Sequence, residues 1–310
     1  MERVPDQSLN PAQERALLEL MGQGQPRPSF PRELAPELRA ELRTALAEVD
    51  ERLELAGVEL HVSKGGLSQI HQCERNWANP DFQWSAATAR GWVAHKAIEL
   101  GVFATGDRAP MDLVDMALDR QLQENDDLGR WLLEAPAEEV AELRAEATNQ
   151  VTAFEECFPP LKARWRPRTE CPVKHQIGQV ILRARVDLAL GRSEGERAGM
   201  LIVDFKTGRP YPAHMDDLRF YALVETLRIG VPPFRVASYY LDTATWHAED
   251  IDADILALTV RRVADGALKM AELRLNEREA TFTPGPACRW CSVRTTCEGP
   301  GLLGDDPDFG

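Results

Sequence analysis

Residues 183–208, R-A-R-V-D-L-A-L-G-R-S-E-G-E-R-A-G-M-L-I-V-D-F-K-T-G, read as two strands joined by a polar, glycine-bearing turn. Apolar and polar side chains alternate with the period of a strand. In the first strand Leu182, Ala184, Val186, Leu188 and Leu190 share one face, and Arg183, Arg185 and Asp187 the other. In the second, Leu201, Val203 and Phe205 alternate with Ile202, Asp204 and Lys206. Asp204 and Lys206 therefore share a side, and antiparallel pairing can bring Asp187 beside them. Two carboxylates and an ammonium late on apolar strands are costly to bury unless they pair or bind a cation. Such oxygen donors suit magnesium or manganese, with the lysine beside the attacking water.

Outward from this hairpin, strands are expected at about 161–176, 178–190 and 199–206. A helix over 213–230, a strand over 234–241 and a long helix over 250–276 follow. Upstream, Leu34, Leu38, Leu42, Leu46, Val49 and Leu53 recur at three- and four-residue steps, the mark of a helix over 31–56. That stripe reads as a packing face or as the docking face of a protein partner. A helix over 86–103 carries G-W-V-A-H-K-A-I-E-L, with Gly91, His95 and Glu99 four apart on one face. Residues 111–156 read as two or three acidic amphipathic helices, and 299–310 as a disordered tail of glycine, proline and aspartate. The organisation expected is a helical extension over 1–60, a catalytic domain over 61–298 with a helical insertion at about 105–158, and the tail.

With 310 residues the chain can bury a substantial core. It has neither a membrane-length apolar run nor a basic, hydrophobic leader, so a cytoplasmic location is expected. The net charge of −14 argues against a general nucleic-acid coat, but it is uneven. Residues 107–156 hold 14 acids and 4 bases, whereas residues 161–185 hold 7 bases and 1 acid. Phosphate affinity follows local charge within a Debye length of about 8–10 Å. Lys162, Arg164, Arg166 and Arg168 fall at every second residue with Trp165 among them. On an extended chain they would track a DNA backbone beside an aromatic stacking surface, or else serve as a solubilising edge.

The string D-x(16)-D-F-K, within R-V-D-L-A and I-V-D-F-K-T-G, resembles the PD-(D/E)XK nuclease superfamily, most closely its RecB-like branch. That branch includes the CRISPR-associated adaptation exonucleases. The resemblance implies an α/β fold: a restriction-endonuclease-like core whose central mixed β-sheet is flanked by helices. It implies hydrolysis of DNA, at single strands or ends, in repair, recombination or adaptation. Asp187, Asp204 and Lys206 would be catalytic, and the G-x-x-x-H spacing of Gly91 and His95 makes His95 a third metal ligand beside Asp187 and Asp204. An imidazole shifts such a site from Mg2+ towards Mn2+. Glu99, one turn on, is a candidate to fix the His95 tautomer. Glu170, in R-T-E-C-P-V-K, stands where family members often carry an acid, which makes it a catalytic candidate to ligate a second metal or orient water, the alternative being an ion pair with Arg168 or Lys174. Tyr221 matches the tyrosine of the family's Q-x-x-x-Y, but Asp217 stands in place of the glutamine.

Cys288, Cys291 and Cys297 form C-x2-C-x5-C, and Cys73 lies far upstream in S-K-G-G-L-S-Q-I-H-Q-C-E-R. Four thiolates suit tetrahedral zinc or an iron–sulfur cubane. The one-plus-three arrangement resembles the iron–sulfur RecB-like nucleases, which implies a [4Fe-4S] cluster stapling the chain's end to the segment before His95. A competing reading is a non-cleaving DNA-binding subunit, with the acidic insertion docking a protein partner.

Overall fold

The β-hairpin over 168–191 turns at Gly178, whose φ of +56° favours glycine. A Cβ there would meet the Asp50 carboxylate about 2.0 Å away. That carboxylate accepts the next backbone N–H, from Gln179, at 2.6 Å. The computed structural model describes residues 9–104, 106–124 and 126–299, except the side chains of Pro286 and Trp290. Residues 300–310 of the expected tail lie outside the described residues.

In chain order the elements are α1 (Pro11–Arg15), α2 (Leu34–Ala45), α3 (Ala47–Ala56), β1 (Leu60–Ser63), α4 (Lys64–Gln72), α5 (Glu74–Ala78), α6 (Ala86–Phe103), α7 (Pro110–Glu124), α8 (Asp127–Glu134), α9 (Ala137–Cys157), β2 (Arg168–Ile177), β3 (Val180–Gly191), β4 (Met200–Lys206), α10 (Ala213–Ile229), β5 (Arg235–Tyr240), β6 (Thr245–Asp250) and α11 (Ala253–Arg274). Among the described residues the six strands make one mixed sheet: β2 and β4 run antiparallel to β3, and β6 to β5, while β1 pairs β3 and β5 pairs β4 in parallel. This is the α/β architecture expected, with helices on the sheet.

The strand β3 forks. One flank pairs β2 from end to end, Arg168 opposite Ala189 to Ile177 opposite Val180. The other flank pairs β1 only as far as Ser63 with Arg183, and pairs β4 only from Leu188 with Val203 onward. Residues 184–187 lie between the two partners, and that gap receives the polar residues described below.

The expected helix over 31–56 is two, joined at Leu46. Its stripe of Leu34, Leu38, Leu42, Leu46, Val49 and Leu53 is buried, and α2 packs on α11 and α10. The face available to a partner is thus used within the chain. At the N-terminus Asn10 and Gln13 form a capping box on α1. Both also donate to the last carbonyls of α9, at Glu156 (2.8 Å) and Glu155 (3.1 Å), and so satisfy groups a helix end leaves open.

Two expectations are corrected. The strand over 161–176 begins only at Arg168: residues 163–165 form a 3-10 turn and Arg166 is left-handed (φ +48°). Pro159, Pro160 and Pro167 cannot donate to a ladder, which accounts for the late start. The helix expected from 250 starts at Ala253, because Asp252 caps it on the Ile255 N–H (2.8 Å), and residues 245–250 form the unforeseen edge strand β6.

Candidate active site and metal centre

Asp187 sits at the fork with its side chain 11% exposed. Its Oδ2 accepts the Phe205 N–H at 2.8 Å, so a carboxylate stands where the ladder to β4 has ended. The β2–β3 register sets Glu170 opposite Asp187, between the Thr169–Leu188 and Cys171–Val186 pairs. Glu170 holds this place at φ +48°, a conformation that costs a non-glycine residue about 1–2 kcal/mol. From α6, His95 brings Nδ1 to 3.6 Å from Asp187 Oδ2, its ring edge-on to Phe205. His95, Glu170 and Asp187 each offer a donor atom within 4.8 Å of the others. Ligands about one ion, with bonds of about 2.1 Å, stand at most about 4.2 Å apart, so small side-chain adjustments close the set.

The electrostatics call for a cation at this point. Burial raises the Asp187 carboxyl above its usual range, and nearby Asp204 raises it further. Burial, then Asp187, pushes Glu170 up to about 7. Arg185 offsets this only in part, with Nη1 3.6 Å from the Glu170 carboxylate. An imidazole and two carboxylates reluctant to hold their charge form a donor set fitted to a divalent ion.

Asp204 is fully buried and differently served. Lys64 Nζ donates to Oδ1 at 2.7 Å. Lys206 Nζ forms an ion pair with Oδ2 at 2.7 Å. Burial opposes ionisation here, yet Lys64 and Lys206 together hold the Asp204 carboxyl well below the usual range. Burial likewise opposes charge on Lys64, and Asp204 overrides it, keeping the ammonium well above its ordinary value. Asp217 stands 3.6 Å from Lys206 and accepts from Ser68 Oγ at 3.2 Å. The residue in place of the glutamine thus becomes a counter-ion to the lysine. Tyr221 is buried beneath Lys64, whose Nζ is 4.8 Å from the ring centroid.

The structure brings His95, Glu170 and Asp187 together, whereas Asp204 contacts Lys64 and Lys206. Glu99 pairs with Lys96 at 2.7 Å instead of with His95. Lys64 escaped the sequence reading because its partner lies 140 residues away; its only signal was a cation at the start of a serine-capped helix. The string Lys162, Arg164, Arg166 and Arg168 is not an extended row. The Arg164 guanidinium stacks 5.3 Å over Trp165, and both line a cavity with Leu190 and Gly191. Arg168 turns to the Met200 sulfur at 3.7 Å.

Cys73 links α4 to α5. The neighbouring Glu74 is buried and binds Arg278 at 2.6 and 2.9 Å and both the N–H and the hydroxyl of Thr281 at 3.0 and 2.8 Å. Arg278 foremost, with Thr281, lowers Glu74 to about 2 against the opposing effect of burial. Arg75 donates to Thr281 O at 3.0 Å and reaches Cys297 Sγ at 3.7 Å. Ser292 Oγ donates to Asn79 O at 2.9 Å. The coil bearing Cys288, Cys291 and Cys297 is thus laid along the segment that follows Cys73. All four thiols are half-buried. Among the described residues no three of these sulfurs lie within 4.8 Å of one another.

No curated protein matches the chain. Among solved structures it is similar to one from Eubacterium rectale titled "Putative exonuclease", at 10% identity and a TM-score of 0.47, over 79% of this chain and 94% of that one. The family model of the PD-(D/E)XK nuclease superfamily matches residues 61–298, which span both the acid cluster and the cysteine coil. The chain belongs to the PD-(D/E)XK nuclease superfamily.

Proposed function

We propose that this nuclease is a RecB-like deoxyribonuclease that cuts single-stranded DNA or DNA ends, with His95, Glu170 and Asp187 as the ligands of Mn2+ or Mg2+. The observation carrying this reading is the convergence of those three donors from α6, β2 and β3. A divalent ion bound there supplies positive charge to an anionic phosphodiester and acidity to its water. The chain's own residues do the rest. Lys206, fixed by Asp204 and Asp217, directs an ammonium at the attacking water or at the oxygen gathering charge. Lys64 adds a second fixed cation on the other oxygen of Asp204. Asp204 acts by holding both lysines, and Tyr221 by supporting Lys64 from below.

Cys73, Cys288, Cys291 and Cys297 are proposed to hold a [4Fe-4S] cluster. Tetrahedral zinc, with Zn–S bonds of about 2.3 Å, sets its sulfurs about 3.8 Å apart. The one-plus-three arrangement of these cysteines, similar to that of the iron–sulfur RecB-like nucleases, supports the cluster over zinc. Its role would be to fasten the coil to α5. Repair, recombination or adaptation are the pathways proposed, in the cytoplasm; among the described residues no helix is long and apolar enough to cross a membrane.

The test is incubation of anaerobically purified protein with end-labelled single- and double-stranded DNA, with Mn2+ or Mg2+ and with EDTA. Metal-dependent cutting of single strands or ends supports the reading. DNA binding without cutting under any metal supports the second one, a scaffold subunit, which the double clamp on Asp204 favours.

A further inference from the structure

Beyond the acid cluster lies a groove of about 630 Å3 whose lining includes Ser63, Lys64, Lys174, Arg183, Arg185 and Tyr221. It meets the candidate active site at two points. Lys64 lines it while bonded to Asp204, and Arg185 lines it while facing Glu170 at 3.6 Å. The β2–β3 register then sets a second rank, Lys174 directly opposite Arg183. At about 3.4 Å per residue this rank stands roughly 7 Å beyond Arg185 and about 14 Å beyond Asp187.

The second rank is hard to explain by stability. Like charges directly opposite one another destabilise a sheet. Lys174 and Arg183 are exposed, and neither has an ion-pair or hydrogen-bonding side-chain partner among the described residues. Lys174 lies on the edge strand β2, where a cation also discourages edge pairing. Arg183 does not: its strand is flanked by β2 and β1, and Ser63 is its partner on the second side. An arginine there faces no edge to protect. A cationic rank maintained against its own repulsion, in line with a phosphodiester-cutting site, is suited to an anion repeated at short intervals.

We infer that this groove is the track of the nucleic-acid strand beyond the scissile bond: Lys174 and Arg183 bind backbone phosphates of a single strand, and Arg185 guides the strand into the acid cluster. The inference rests on the nuclease reading above and assigns the track to these residues instead of the Lys162–Arg168 string.

The experiment uses the full chain, its Lys174→Ala and Arg183→Ala variants and the double variant, with Mn2+. The probes are a thymidine dinucleotide and single-stranded oligothymidylates of increasing length. For the double variant the track requires KM on long oligonucleotides to rise about tenfold, the scale of two lost solvent-exposed ion pairs at about 0.7 kcal/mol each. It also requires an unchanged kcat and an unchanged rate on the dinucleotide. The slope of log affinity against log salt should shrink by about 1.4, at about 0.7 per phosphate contact. Circular dichroism confirms that the exposed substitutions leave the fold intact. If the unaltered chain cuts neither probe, the nuclease reading fails. If it cuts both and the double variant keeps its KM and salt slope, the track is overturned while the nuclease stands. Equal losses on dinucleotide and long strands would also overturn it, since they would place these residues in support of the cutting site.

Discussion

The acid cluster at the fork and the cysteine coil at the end of the chain both unite residues far apart in sequence, but by different means. His95, Glu170 and Asp187 are set by strand register and by a helix packed on the sheet, so the backbone has fixed their spacing before any ion arrives. The four cysteines sit on turns and short helical pieces, tied down mainly by the bonds around Glu74 and Arg75. A site built on ladders keeps its shape without a ligand; a site built on coil depends on its ligand for shape. The first is suited to chemistry and the second to fastening.

That contrast is broken or sharpened by substitution. The largest effect belongs to chemistry: Lys206→Ala or Asp187→Asn should reduce cleavage at least 10^2–10^3-fold, the scale of removing one preorganised charge-stabilising group. Binding of a labelled strand should persist in a gel-shift assay. Next comes the coil. If the four cysteines hold the proposed [4Fe-4S] cluster, Cys297→Ser should abolish its absorbance near 400 nm, expose the C-terminal segment to limited proteolysis and lower Tm by about 3 °C, a loss of about 2 kcal/mol. Calorimetric binding of Mn2+ should be unchanged; a parallel loss of Mn2+ affinity would show that the two sites are one structural unit.

Arg278→Ala tests the tie itself. Glu74, lowered from 4.5 to about 2, contributes stability that is complete above about pH 4.5 and is lost as pH falls through 2. Allowing for the partial exposure of Arg278, urea unfolding at pH 7 should show a loss of about 2 kcal/mol, shrinking at pH 3. The smallest effect has the opposite sign. Glu170 is raised from 4.5 to about 7, so the unfolded chain releases its proton first and the folded state loses stability as pH climbs from 4.5 to 7. In EDTA, Glu170→Gln should therefore gain about 1 kcal/mol at pH 8 and nothing at pH 4.5, while weakening Mn2+ binding.

Much of the sheet was readable because a two-residue period leaves little freedom. The alternation around Asp187, Asp204 and Lys206 places three polar groups late on neighbouring strands without knowledge of the rest. Family resemblance pointed to His95 and, as a candidate ligand of a second metal, to Glu170, but not to the exchange that pairs Asp204 with Lys64. Burial and long-range partners decide that exchange, and neither is written in a local pattern. Lys64 was invisible for the same reason. The strand β6, T-W-H-A-E-D, carries too many polar residues for its alternation to stand out, as befits an edge. The basic string at 162–168 misled in the other direction: its spacing suggested a strand, and the prolines around it were the better guide.

The fork in β3 has a consequence for motion as well as for placement. Among the described residues its middle is secured on the far side from β2 by a side chain, Asp187 on the Phe205 N–H, and its two ends by full ladders to β1 and β4. Such a strand should open from its centre. Deuterium would then enter the amides of residues 184–187 that point away from β2 sooner than those at either end, the reverse of ordinary fraying, at the place where a bound strand has to be admitted and let go.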